Sequence, residues 1–292
     1  MADVVHRTTA GWPEKKYCYM SQALSCLQLA KFHGDVELVT DTVGRQLLLD
    51  EMDLPYTNVR LDLDNFPPYP GECWYLKNIF TCSIQEEPFI HVDGDVYIPC
   101  KLDRLAGGAD ILTGNRFNIR SMPLQMILHE IILQLNDIPD YLTVPSSELI
   151  SIYNTGIFGG RDVAFISSFA ADCLQLVAGN TGFANDNFGF GLDELNYEEI
   201  RLADLLNILF GGYMFTSFAA RHDKTVVSLF DDVGISMLPD NTTVIASPDL
   251  SHIQSVYSKR RNAICHQLEH QLMQDHPAYY YKITSLLKEF RI

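Results

Sequence analysis

Pro88-Phe89-Ile90-His91-Val92-Asp93-Gly94-Asp95-Val96-Tyr97-Ile98 is the stretch on which the fold of this 292-residue chain turns. An apolar run stops on an acid, a glycine separates that acid from a second, and another apolar run follows. In an extended segment the side chains at i and i+2 point to the same side, so Asp93 and Asp95 can converge on one cation. Gly94 between them leaves room for a ligand and for unusual backbone angles. A hard divalent ion, magnesium or manganese, takes carboxylate and phosphate oxygens together and offsets charge on a diphosphate. A bland reading stands beside this one, because an aspartate-rich chain produces such triplets by chance and Asp62-Leu63-Asp64 is another.

Upstream, strand-like and helix-like segments alternate. A short apolar stretch at Val4-Val5 precedes a helical pattern carried by Tyr17, Met20, Leu24, Leu27 and Ala30. Val36 to Asp41 reads as a strand ending on an acid, Val43 to Met52 as a helix, and Tyr56 to Leu63 as extended chain. Pro67, Pro68, Pro70 and Gly71 make a rigid loop before the helical pattern of Trp74 to Ile84. This alternation predicts an α/β fold with a mostly parallel central sheet flanked by helices. Ligands bind at the carboxyl ends of strands in such sheets, which is where Asp41 and the Asp93-Gly94-Asp95 unit fall.

Downstream the pattern turns helical. Leu124, Ile127, Leu128, Ile131, Ile132 and Leu135 share one face, and Leu149 to Tyr153 is strand-like. Further helices are expected at Val163–Val177, Glu198–Phe210 and Arg260–Met273, which makes the C-terminal part helical. No shift of composition marks a boundary, so the expectation is one domain over residues 1–292. Its part up to about residue 120 would bind nucleotide, and residues 121–292 would form the acceptor and C-terminal helical part.

Composition narrows the function. A formal net charge of −16 and an isoelectric point near 4.8 disfavour a nucleic-acid polymer or an anionic membrane surface as partner. Phosphate must then be met by a local device. Seven cysteines at irregular spacing, with no Cys-x-x-Cys pair, read as reduced buried thiols. With no apolar run long enough for a signal peptide or a membrane span, the expectation is a cytoplasmic protein.

Asn154-Thr155-Gly156, with Gly159-Gly160 behind it, places an amide and exposed backbone after a strand. Asn154 offers a donor and an acceptor to a sugar hydroxyl, and the same glycines also suit a plain strand-to-helix turn. His252 precedes Lys259-Arg260-Arg261 in a chain poor in bases. An imidazole can be a third ligand for a manganese-like ion and a lysine can meet a terminal phosphate; a solvated helix start is the alternative. His266 and His270 lack the glutamate spacing of a zinc protease and read as surface residues.

The order Tyr17-Cys18-Tyr19-Met20-Ser21, Val39-Thr40-Asp41, Leu54-Pro55-Tyr56, Trp74-Tyr75-Leu76-Lys77 and Pro88 to Val96 resembles a bacterial family with a GT-A-like fold. More distantly it is similar to the retaining GT-A enzymes related to glycogenin and bacterial galactosyltransferases. The likeness covers roughly the first 180 residues, and its most specific piece is the Lys77 helix followed by Asp-Gly-Asp. It implies a metal-dependent transfer of sugar from a nucleotide-diphosphate sugar, a UDP-sugar, to a saccharide, peptide or small-molecule acceptor. Asp93, Asp95 and His252 would hold magnesium or manganese. Asp41, Gly94 and Lys259 would meet the nucleotide and diphosphate, while Asn154, Gly156 and Lys77 would serve the transfer itself. This chain departs from the pattern at Glu198-Glu199, where Glu-Gln is usual, and it lacks the glycine between the late histidine and lysine. A haloacid dehalogenase-like phosphatase also places Asp-x-Asp after an apolar strand, but near the start of its chain. A GT-A-like scaffold without catalysis is the third reading.

Overall fold

The computed structural model describes residues 9–67, 75–98, 101–102, 108–119, 122–143, 150–180, 206, 208–229, 235–237, 243–245, 251–252 and 262–289. The expectations at Val4-Val5, Glu198-Glu199, Lys259, Cys73 and Cys100 lie outside these residues. The class is mixed α/β, with mainly helical described residues and small sheets. The chain divides into two compact units that interleave along the sequence: Met1–Asn65, Val92–Gly107 and Phe230–Ile292 form one, and Phe66–His91 with Gly108–Leu229 the other.

The first unit is built on α1, Lys15–His33. Its charged residues sit at the two ends, and the stretch between Tyr17 and Gln28 is buried almost all round. A helix apolar on every side needs cover on every side. The C-terminal helices α7, Asn262–Asp275, and α8, Pro277–Lys288, pack against it, with Leu268, Leu272, Ile283 and Leu286 joining Met20, Ala23 and Leu24 in one core. His266 and His270 are exposed on α7, as the sequence suggests. Gly34 ends α1 at φ +80°, a conformation few other residues adopt, and its N–H bonds the Ala30 carbonyl.

Two short strands in this unit, β1 at Glu37–Val39 and β2 at Asn58–Arg60, run parallel. The helical turn α2, Thr42–Arg45, follows β1 and continues through wider turns over Gln46–Glu51. Val96–Tyr97 is β4, and the late strand β12, Ser251–His252, pairs with it antiparallel. Strands β10, Ile235–Met237, and β11, Thr243–Ile245, form an antiparallel pair.

The second unit holds α3 (Tyr75–Ser83), α4 (Met122–Gln134), α5 (Val163–Gly179) and α6 (Phe215–Arg221). Helices α3 and α5 pack side by side, and the core gathers Leu76, Ile79, Ile131, Ile166, Phe169 and Phe218. Phe158, Phe169 and Phe215 meet edge to face, with ring centroids 5.0 to 6.1 Å apart. One sheet runs in the order β3 (Phe89–Val92), β8 (Ile157–Gly160), β5 (Ile111–Thr113), β9 (Val226–Ser228). Strand β5 is antiparallel to β8 and parallel to β9, while β6 (Arg116–Ile119) and β7 (Ile150–Tyr153) form a separate antiparallel pair.

The expected mostly parallel sheet is therefore not what the described strands build. Parallel pairing joins β1 to β2 and β5 to β9, beside the antiparallel pairs β4–β12, β5–β8, β6–β7 and β10–β11. The reason lies in the segment after residue 110, where chain 111–119 meets chain 150–160 antiparallel and takes the central position that a crossover strand would otherwise fill. Gly159 and Gly160 permit that crowding. A Cβ on Gly159 would collide with the Phe89 carbonyl oxygen, and one on Gly160, at φ +138°, with the Asp110 carbonyl oxygen. At Gly179, by contrast, a Cβ would find only Asp137 Oδ2 at 3.8 Å.

This contrast gives a stability test. Gly159→Ala and Gly160→Ala should each cost about 1–3 kcal/mol in urea unfolding, since backbone rather than a flexible side chain blocks the methyl group. Gly179→Ala, in the last turn of α5, should leave the midpoint unchanged or raise it. Equal behaviour of all three variants would contradict the packing described here.

Candidate functional site

In the first unit, Asp93, Gly94, Asp95 and Val96 form a β-turn closed by the Val96 N–H on the Asp93 carbonyl, 3.0 Å. The acids thus sit on a turn and not on the extended segment the sequence suggests. Gly94 has no left-handed angle, and its lack of a side chain matters for packing: a Cβ there would lie 3.1 Å from Cγ of Gln22 on α1. Both Asp93 and Asp95 are half-buried.

Helix α1 holds this turn from below. The Ser21 hydroxyl donates to the Gly94 carbonyl at 2.8 Å and meets the Tyr97 hydroxyl, also at 2.8 Å. One helical turn on, the Ser25 hydroxyl reaches the Asp93 carbonyl at 3.5 Å. Serines at i and i+4 share a helix face, so two turn carbonyls are satisfied by protein. Tyr97 is buried, which pushes its hydroxyl far above the usual tyrosine range; the Asp95 charge adds to this, and the Ser21 hydrogen bond opposes it.

Strand β12 then brings a late segment to the same place. His252 is the register partner of Val96, the residue after Asp95, and Ser251 that of Tyr97. For His252 only this backbone register is described. Among the described residues no three His, Cys, Asp or Glu side chains form a ready cluster. The donor set nonetheless suits a hard divalent cation, with two carboxylates on one tight turn whose Asp93 and Gly94 carbonyls are occupied by serine hydroxyls.

Asp41 and the acids of the second Asp-x-Asp triplet have structural duties. Asp41 is the N-cap of α2, its Oδ1 accepting from Gly44 N at 2.7 Å. Asp64 accepts from both the Thr42 N–H and the Thr42 hydroxyl, at 2.8 and 2.6 Å, which holds its carboxyl below the usual range. Asp62 accepts from Arg60 at 2.8 Å. The second Asp-x-Asp triplet is thereby accounted for as a turn that ties down the end of the β1–β2 pair.

In the second unit, Asn154-Thr155-Gly156 is a bulge. Asn154 N donates to Asn115 O at 2.7 Å and Gly114 N to Asn154 O at 3.0 Å, yet Phe158 is already opposite Thr113. This strand therefore carries two more residues than its partner across the break. Thr155, buried, fixes the bulge: it accepts from the Tyr75 hydroxyl at 2.8 Å and donates to the Gly211 carbonyl at 3.1 Å. Asn154 Oδ1 accepts from Gly156 N at 2.9 Å, so its acceptor is spent within the turn and its amide nitrogen remains as the donor. Lys77 is exposed on α3, more than half a turn round from Tyr75.

Sequence reasoning missed Ser21, Ser25 and Thr155. The available signal for the serines was a pair of hydroxyls one turn apart within an otherwise apolar helix. For Thr155, a polar residue between two strands of buried aliphatics was the only hint.

The chain belongs to the family described as Family of unknown function (DUF6734), which it matches over residues 2–286. No curated protein and no solved structure matches it. No helix among the described residues is long and apolar enough to cross a membrane. Cys18, Cys26, Cys82, Cys173 and Cys265 are buried, and burial pushes the Cys26 thiol up to about 12 and that of Cys265 up to about 11.

Two tests follow from these local arrangements. Ser21→Ala removes a partner from the buried Tyr97 hydroxyl and from the Gly94 carbonyl, and should cost about 1–3 kcal/mol of stability in urea unfolding. A midpoint unchanged from wild type would show that the clasp is not formed. Because thiolates carry the reactivity, the five buried cysteines should react with a thiol reagent at neutral pH only after denaturant is added. Rapid labelling of Cys26 or Cys265 in native protein would contradict their burial.

Proposed function

We propose that this chain is a divalent-cation-dependent glycosyltransferase acting on a nucleotide-diphosphate sugar, a UDP-sugar. The observation that supports the reading best is the pairing of β12 with β4, which sets the backbone of His252 beside the Asp93–Val96 turn. Two carboxylates and an imidazole make an oxygen-rich set with one nitrogen, the chemistry that magnesium or manganese accepts. Asp93, Asp95 and His252 would hold the ion, whose contribution is to offset charge on the diphosphate of the donor.

The chain's own residues do the rest in this reading. Ser21 and Ser25 fix the turn through its carbonyls, so the carboxylates stay aimed while ligand comes and goes. Gly94, with no side chain, lets the turn sit close against Gln22 of α1. The bond between the anomeric carbon and the diphosphate oxygen breaks, an acceptor oxygen takes its place, and the acceptor proton leaves to solvent or base. Lys259 would meet the leaving diphosphate, since an ammonium offsets phosphate charge. The acidic surface of the whole chain makes a local cation the natural way to accept a diphosphate.

Calorimetry with UDP and manganese tests the reading. Wild type should bind UDP in the presence of manganese and lose at least about tenfold in affinity when EDTA is added. Asp93→Asn and Asp95→Asn should each show the same loss with an unchanged circular dichroism spectrum, and His252→Ala a smaller one. A panel of nucleotide sugars should then reveal slow donor hydrolysis by wild type. UDP affinity indifferent to manganese and to both acids would sink the proposal, and metal-dependent binding without hydrolysis or transfer would leave a scaffold.

A further inference from the structure

Helix α7 carries a motif that the cation reading does not use. His266 and His270 stand four residues apart on it, both exposed, and Met273, also exposed, follows three residues later. At about 100° per residue the three fall within about 60° of one another round the helix, away from the side on which Cys265, Leu268 and Leu272 enter the core. Imidazoles at i and i+4 have Cβ atoms about 5–6 Å apart, which lets a nitrogen of each ring meet one ion above the helix. Long side chains on a helix lean toward its N-terminus, which directs the Met273 thioether to the turn that carries His270.

The surroundings suit such an ion. Among the described residues no hydrogen bond or ion pair holds either imidazole, and exposure gives the ion both room and a way in. Helix α7 contains no lysine or arginine to repel a cation, and the net charge of −16 draws cations to the chain. Glu269 is committed elsewhere: the Tyr280 hydroxyl donates to its Oε1 at 3.0 Å, and Lys16 Nζ lies 3.6 Å from its Oε2. These contacts, with Leu268 and Leu272 in the core, hold α7 against α1 and α8, so both rings are presented from a fixed helix and not from a loop. The donor set then names the metal. Magnesium and manganese take oxygen; imidazole suits zinc, nickel and copper, and a thioether beside it narrows the choice to copper.

We infer that His266, His270 and Met273 form a surface copper site, separate from the proposed cation site and not dependent on it. The two imidazoles serve either oxidation state, and the thioether adds affinity for the cuprous ion. Histidines that merely solvate a helix bind copper weakly and one at a time. A chelating pair loses its affinity when either ring is removed, and that is the difference the test reads.

Copper titration of the full chain, without nucleotide or manganese, tests this after accessible thiols have been alkylated so that cysteine sulfur cannot capture the ion. Wild type should bind one cupric ion whose pulsed electron paramagnetic resonance shows two imidazole nitrogens. His266→Asn and His270→Asn should each lose that paired signal and at least about tenfold in affinity, a loss no smaller than removal of an outer-shell partner causes. Their circular dichroism should stay that of wild type, because the replaced side chains are exposed. After reduction under argon, Met273→Leu should hold the cuprous ion about tenfold less tightly than wild type, while binding nickel as wild type does. Asp93→Asn should bind copper as wild type does, which separates failure here from failure of the cation reading. Copper affinity that neither histidine variant changes would overturn the inference. So would a bound cupric ion without two imidazole nitrogens, or cuprous affinity untouched by Met273→Leu.

Discussion

The hydrogen bond from the buried Ser21 hydroxyl to the Gly94 carbonyl is the constraint on which the acidic turn depends. It needs α1 buried, because an exposed serine would exchange the turn for water. Burial of α1 in turn needs α7 and α8, which supply the far side of its core from the opposite end of the sequence. The same serine shares its hydroxyl with Tyr97, whose strand receives β12. A single polar contact thus joins the first helix, the Asp-Gly-Asp turn and the late histidine segment. Its cost is small because every hydroxyl involved has a partner.

The second unit uses the same device at another place. There the Thr155 hydroxyl, between Tyr75 and the Gly211 carbonyl, fixes a bulge that would otherwise be free to slip. Slippage by one residue would turn Phe158 out of the Phe169 and Phe215 cluster, so aromatic packing and the hydroxyl bridge enforce one register together. In both units, then, the candidate residues sit on irregular backbone, and hydroxyls buried against a helix or sheet hold that backbone.

Much of the helical scaffold was legible. Leucine and methionine spacing marks α1, α3, α4 and α5 within a few residues of their observed ends, because local periodicity decides a buried helix. Asp41 carries a duty that its place after a strand does not announce. Gly44 follows three residues later, and Asp41 caps its N–H. The Asp93–Val96 turn was visible as a motif but not as a turn, since alternating apolar and acidic residues also describe a strand. The meeting of His252 with Val96 was beyond sequence patterns: the strand is two residues long and its partner lies far back in the chain. The antiparallel meeting of chain 111–119 with chain 150–160 was hidden for the same reason, because long-range pairing leaves no local period.

The convergence of Asp93, Asp95 and His252 on one ion is the central claim, and pulsed electron paramagnetic resonance of manganese bound to the full chain measures it directly. The account predicts one tightly bound ion per chain, with nitrogen modulation from a single histidine that disappears in His252→Ala and binding that disappears in Asp93→Asn. A bound manganese ion with no histidine nitrogen, or no tight site at all, would contradict it.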